Sequence, residues 1–407
     1  MNKLSRNVII SKEKKMKYDF TTVVDRTGQG SLKWDDMYFK KSDVSKGVVP
    51  LSVADMEFHH PEQLIDGLCE HLKTIILGYT GETDSFKESV VNWMKRRHEF
   101  EIEKDWIVNT PGVIPAIYTA IDEFTNEGDG VIIMTPVYYP FYNSIQRQNR
   151  KIVECPLVEK NGYYTIDYDL FEELSKENKV LLFCSPHNPV GRVWKEEELK
   201  KLAEIIKKNK VLLLSDEIHF DLIMPGYKHT VFQTIDEEVA NNSITFTAPS
   251  KSFNLAGMGL SNIIIKNDKI RERFVDGLWN NACYVFSAIG YKACEIAYNE
   301  CEDWLDECIE VINTNQNLVH EFFKNKHPEI KAPLIEGTYL QWMDFRGLGL
   351  DYKELEDFMI NSAELFFDEG YVFGKMGEGY ERINLAAPTE VINKALDRLD
   401  QALNELK

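Results

Sequence analysis

From about residue 105 the chain alternates short, β-branched apolar runs with longer segments of helical period. The runs are Gly130 to Met134, Lys151 to Cys155, Val180 to Cys184, Val211 to Ser215, Ile244 to Thr247 and Ile263 to Lys266. Between them Pro115 to Phe124, Lys195 to Lys208 and Asp268 to Trp279 carry the i, i+3, i+4 spacing of amphipathic helices. Turn residues punctuate the pattern at Asn126-Glu-Gly-Asp-Gly130 and at Asn188-Pro-Val-Gly191. Strand and helix in regular alternation predict an α/β domain with a mostly parallel sheet. Runs as continuous as Val211-Leu-Leu-Leu214 predict strands buried on both faces.

After about residue 290 the pattern changes. A long helical region from Tyr291 to Phe323 precedes an alternating strand from Thr338 to Asp344, a short strand near Arg382 to Leu385 and an amphipathic helix from Thr389. These predict a smaller α+β domain at 290–407, beside a large domain at 61–289 and a segment at 16–60 that joins the small domain. Residues 1–15 contain Lys3, Arg6 and the short run Val8-Ile9-Ile10 but no secretory pattern. They are read as an upstream extension, with Met16 as an alternative start.

Composition narrows the class. At 407 residues, 43% hydrophobic and 12% aromatic, the chain is long enough for more than one core. No apolar stretch is long enough to span a membrane. The net charge of −19 repels polyanions, which argues against a nucleic-acid partner. Seven cysteines with no CxxC pair suit reduced thiols in a cytoplasm. Cys294, Cys301 and Cys308, seven apart, are expected along one buried helix stripe.

Four short motifs carry the chemistry, each at the end of a predicted strand: Ser185-Pro-His-Asn188-Pro189-Val-Gly191-Arg192, Asp216-Glu-Ile-His219, Ser250-Lys251-Ser252-Phe253-Asn254 and Arg382-Ile-Asn384. Loops at the carboxyl ends of strands in an open α/β sheet converge on one crevice. A lysine amine there can form an imine with an aldehyde cofactor and act as a base. An aspartate can keep a pyridine nitrogen protonated, an asparagine or histidine can bond a ring hydroxyl, and an arginine can grip a carboxylate in a fork. Lys251, Asp216, Asn188 with His219, and Arg382 fill these roles.

With these motifs and Arg26-Thr-Gly-Gln-Gly-Ser-Leu-Lys-Trp-Asp, Val53-Ala-Asp-Met-Glu-Phe58, Gly78-Tyr79-Thr80 and Gly337-Thr-Tyr-Leu-Gln-Trp-Met-Asp-Phe345, the chain resembles fold-type I pyridoxal 5′-phosphate (PLP) enzymes of the aspartate-aminotransferase superfamily. The closer resemblance is to their C-S lyase branch, the cystathionine β-lyase, cysteine-S-conjugate β-lyase and maltose-regulon-modulator type. The resemblance implies a PLP-dependent transferase-like large domain with a mostly parallel seven-stranded sheet. It implies a phosphate cradle at Gly112, Val113 and Ile114, a hydroxyl from Ser250, and a ring-stacking Tyr138, with Tyr139 its neighbouring alternative. It implies substrate contacts from Arg382, Asn188, Asp55 and Tyr339, and a homodimer in which Tyr79 reaches the partner's cofactor phosphate. Gly259 stands where aminotransferases usually place a phosphate-binding Arg, and His219 where they place a Tyr. Both departures favour β-elimination from a small amino acid over transamination.

Three other classes are weighed. A class I/II aminotransferase shares most of the machinery, and a regulatory PLP-binding protein with a protein partner would share all of it. A helicase would use the Asp216-Glu-x-His219 box, but no GxxxxGK[ST] loop lies upstream. A zinc hydrolase lacks support because the nine histidines form no HExxH, so no metal ligand is assigned.

Overall fold

The computed structural model describes residues 16–285 and 287–406. The proposed extension at 1–15 lies outside the described residues. The central sheet has seven strands: β1 (Ile107–Thr110), β2 (Gly130–Ile133), β3 (Lys151–Glu154), β4 (Val180–Cys184), β5 (Leu212–Asp216), β6 (Ser243–Thr247) and β7 (Ser261–Ile264). Their order is β1-β7-β6-β5-β4-β2-β3. The pairs β3/β2, β2/β4, β4/β5 and β5/β6 are parallel, while β7 runs antiparallel to both neighbours. The sheet is mostly parallel, as the alternation predicts.

Side chains explain the burial of this sheet. Val131, Ile133, Val180, Leu182, Leu212 and Leu214 enter one core, against the helices Val113–Phe124 and Asp268–Asn280. Ile132, Leu181, Phe183 and Leu213, one residue out of phase, enter a second core against the helix Glu196–Asn209. Successive strand residues point to opposite faces, so a continuous apolar run is what a sheet covered on both sides requires.

Two readings need correction. The helical region expected from Tyr291 to Phe323 is two helices, Ala288–Glu300 and Glu302–Lys326, broken at Cys301. Cys294, Cys301 and Cys308 are all fully buried, but they do not share one helix stripe. β1 went unpredicted because Asn109 and Thr110 interrupt its apolar character. The helix Ala288–Glu300 packs on the helices Glu62–Thr74 and Asp84–His98.

A second sheet is built from β8 (Leu340–Asp344), β9 (Asp368–Glu369) and β10 (Tyr380–Asn384), antiparallel with β10 in the middle. Among the described residues no helix is long and apolar enough to cross a membrane.

The two sheets meet at the loop after β4. Arg192, buried there, bonds Glu336 and Glu198 at 2.7 Å each, and the Gly191 carbonyl accepts from the N–H groups of Glu336 and Gly337 at 2.8 and 3.1 Å. Gly191 has φ +71°, and a Cβ built on it would sit 2.5 Å from Ile335 Cγ2. Both the left-handed backbone and the close approach demand glycine. Gly191→Ala is expected to destabilise the protein by on the order of 1–3 kcal/mol, read as a lower urea midpoint at unchanged m-value; an unchanged midpoint contradicts this account.

Candidate active site

The carboxyl ends of the parallel strands converge on one cavity. Pro111 to Ile114 follow β1, Tyr138 follows β2, Asn188 follows β4, Asp216 ends β5, and Ser250 and Lys251 follow β6; all line the cavity, together with His219 and Ala54. Every candidate cofactor residue except Tyr79 is brought together in this way.

Lys251 Nζ donates to the Ala54 carbonyl at 2.7 Å. Burial and the Arg382 guanidinium push its pKa down to about 8, against the opposing pull of Asp55 and Asp216. Asp216 is buried, and loss of solvent pushes its carboxyl up to about 7, although the Ile218 N–H at 3.1 Å and Lys251 favour the anion. Such opposed shifts in one cavity are the usual mark of a functional site. Burial, Lys251 and Arg382 lower the His219 pKa, and its Nδ1 is buried with no hydrogen-bond partner among the described residues. The Tyr138 phenol is raised by burial, and its backbone N–H bonds the Asn188 carbonyl at 3.1 Å. Tyr139 is the more exposed of the two tyrosines.

Arg382, on β10, reaches the cavity through Asn188, whose Oδ1 accepts from Nη1 at 2.9 Å. The two other substrate candidates stand differently. The Asp55 carboxylate turns toward Lys33 at 2.7 Å and Arg26 at 3.1 Å, on an adjoining cavity. Tyr339 is fully buried behind the cavity wall; its hydroxyl donates to the Ala54 carbonyl at 2.8 Å. Neither Asp55 nor Tyr339 is among the residues lining this cavity; both support the Ala54 segment through bonds within the protein. Tyr79 lies in the segment after the helix Glu62–Thr74, 94% exposed and not among the residues lining the cavity.

Sequence reasoning missed what holds the Ala54 segment. Asn384 Nδ2 donates to the carbonyls of Val53 and Asp55 at 2.9 and 2.7 Å. Asn254 bonds both the N–H and the carbonyl of Met56. Lys33, with no side-chain exposure, pairs with Asp55 and Glu57 at 2.7 Å each. Lys33, Asn254 and Asn384 all lie in motifs that the sequence singles out, but none of them carries an assigned role there. Glu217 of the Asp-Glu-x-His box faces away from the cavity and bonds His229 at 2.7 Å.

These groups suit a phosphorylated pyridine aldehyde. The first N–H groups of the helix Val113–Phe124 have no partner within the helix, and with the Ser250 hydroxyl they offer an anion cradle. The carboxylate of Asp216 suits a ring N–H, the orphaned His219 Nδ1 awaits a polar group, and the Lys251 amine suits the aldehyde. Among the described residues no group of three or more His, Cys, Asp or Glu side chains is placed to hold a metal.

Comparison with known proteins agrees with this geometry. The family model "Aminotransferase class I and II" matches residues 47–399. The chain is 37% identical to cystathionine beta-lyase PatB of Bacillus subtilis over 93% of its own length and 98% of that protein's. It is 27% identical to the protein MalY of Escherichia coli, over 96% and 100%. Among solved structures it is similar to cystalysin from Treponema denticola, which contains a pyridoxal 5′-phosphate cofactor, with TM-score 0.95 and 61% identity over 96% of this chain and 100% of that one. It is also similar to the PLP-bound C-S lyase from Staphylococcus hominis, with TM-score 0.87 and 30% identity over 95% and 98%.

The Asp216 shift fixes a pH dependence for the cofactor-free protein. A carboxyl whose pKa is raised on folding lends stability below its unfolded pKa and loses it as pH rises through the folded value, here about 7. Asp216→Asn keeps an acceptor for Ile218 N–H without the charge. The cofactor-free variant is expected to exceed the parent in stability at pH 8 by on the order of 2–4 kcal/mol, the gap closing toward pH 4. Equal gaps at both pH values in urea titrations would contradict the burial argument.

Proposed function

The chain belongs to the aminotransferase class I and II family, and from that membership we propose a PLP-dependent carbon–sulfur β-lyase that cleaves cystathionine or cysteine S-conjugates to a thiol, pyruvate and ammonia. The observation that carries the reading is that Lys251 and Asp216 line one cavity, which Arg382 joins through Asn188, in a chain similar over nearly its whole length to proteins named cystathionine beta-lyase and C-S lyase.

PLP, when bound, supplies an electron sink for negative charge developing at the substrate α-carbon. The chain's own residues do the rest. Gly112, Val113, Ile114 and Ser250 would hold its phosphate, and Tyr138 would pack against its ring. Asp216 would keep a proton on the ring nitrogen, and Asn188 and His219 would bond the ring hydroxyl. Arg382 holds the substrate carboxylate and so orients the α-hydrogen toward Lys251. Lys251 Nζ, with a pKa of about 8, is a base near neutral pH and takes that hydrogen as a proton. Gly259 and His219, standing where aminotransferases usually place an Arg and a Tyr, favour loss of the β-thiolate over transamination.

The proposed assembly is a homodimer with shared sites. Ile76, Leu77 and Tyr79 expose 92%, 68% and 94% of their surface in one short segment, an apolar run suited to a second copy. The proposed compartment is the cytoplasm, where the seven free cysteines stay reduced.

Incubation with cystathionine and no keto acid should release thiol, pyruvate and ammonia in equal amounts, from a species of twice the monomer mass. Arg382→Ala should reduce kcat/KM by a factor of about 30 or more, since an arginine–carboxylate contact in a buried site is worth about 2–5 kcal/mol. Turnover that requires 2-oxoglutarate and yields glutamate would identify an aminotransferase instead.

A further inference from the structure

The Arg382 guanidinium is buried, and its surroundings are specific. Nη1 donates to Asn188 Oδ1 at 2.9 Å, Nη2 donates to the Asp368 carboxylate, and the group lies 4.7 Å from the centroid of the Phe373 ring. Nε is buried and has no hydrogen-bond partner among the described residues. Asp368 and Arg382 face one another in the ladder between β9 and β10. Backbone register therefore sets the pair, and the guanidinium cannot turn about its own bonds without breaking it.

We propose that Asp368 is a positioning and specificity-determining residue: it holds Arg382 by Nη2 so that the remaining N–H groups of the guanidinium are aimed at the substrate carboxylate, and its charge offsets that of Arg382. This rests on the reading of Arg382 as the carboxylate grip. Two consequences oppose each other. Asp368 orders the donor, which aids a carboxylate, yet it is itself an anion sharing the same cation, which weakens one. A carboxylate is then chosen by the direction of a hydrogen bond more than by net charge. Asn188 contributes to the order from the other side, and Phe373 closes one face against water.

The two effects separate in two substitutions. Asp368→Asn keeps an acceptor on Nη2 and removes the charge; Asp368→Ala removes both. The holoenzyme is titrated with glycine and, separately, with glycinamide, a pair that differs only in the carboxylate, and binding is read from the cofactor absorption spectrum. Asp368→Asn should bind glycine about threefold more tightly, the scale of one screened charge, with glycinamide unchanged. Asp368→Ala should lose about tenfold of the preference for glycine over glycinamide, the scale of one oriented hydrogen bond to a charged group. If the alanine variant does not fold, the asparagine variant alone decides, and glycine binding unchanged or weakened in it overturns the proposal. Equal loss of preference in both variants also overturns it. Arg382→Lys is the control. If that control loses the preference while both Asp368 variants keep it, the Asp368 proposal fails and the carboxylate grip stands; if the control keeps the preference too, both fail.

Discussion

One backbone carbonyl, that of Ala54, accepts hydrogen bonds from Lys251 Nζ at 2.7 Å and from the Tyr339 hydroxyl at 2.8 Å. The lysine amine is placed by this contact, so the site depends on whatever places the carbonyl. Residues from four distant parts of the chain do so: Arg26 and Lys33, Asn254, Tyr339 and Asn384. Lys33, Arg26, Asp55 and Glu57 form a largely buried cluster of two cations and two anions. Breaking one partner in such a cluster leaves an uncompensated buried charge, which is costly, so the cluster holds the Ala54 segment rigidly. The described N-terminal segment from residue 16, which adds no strand to the central sheet, is thus a structural part of the site.

Electrostatics in the cavity follow from burial first and neighbours second. Lys251 is driven toward its neutral amine and Asp216 toward its neutral acid by the same loss of solvent. A cationic pyridine ring would restore the Asp216 anion, and consumption of the lysine amine would remove the like-charge conflict with Arg382. The residues are arranged for a bound state in which each unfavourable burial acquires a partner. The orphaned His219 Nδ1 belongs to the same pattern.

Much of this was legible in the sequence, for identifiable reasons. Strands buried on both faces announce themselves as continuous apolar runs, and the residues at their carboxyl ends fall into one crevice by topology, so Asn188, Asp216 and Lys251 could be grouped before any coordinates. β1 was hidden by Asn109 and Thr110, and the helix break at Cys301 by the lack of any Gly or Pro there. Asp55 and Tyr339 share motifs with cavity residues, but whether a side chain meets the cavity or the wall behind it depends on packing partners far away in sequence. The same holds for Lys33 and Asp368, whose roles exist only through pairings with Asp55, Glu57 and Arg382.

The most direct test of the central claim, that Lys251 is the residue holding the cofactor, is reductive trapping. The purified holoprotein is treated with borohydride, which fixes the cofactor to the amine it occupies, then digested and mapped by mass spectrometry. The account predicts a reduced pyridoxyl phosphate on the peptide containing Lys251 and on no other. The same mass on a different lysine, Lys33 included, would contradict it.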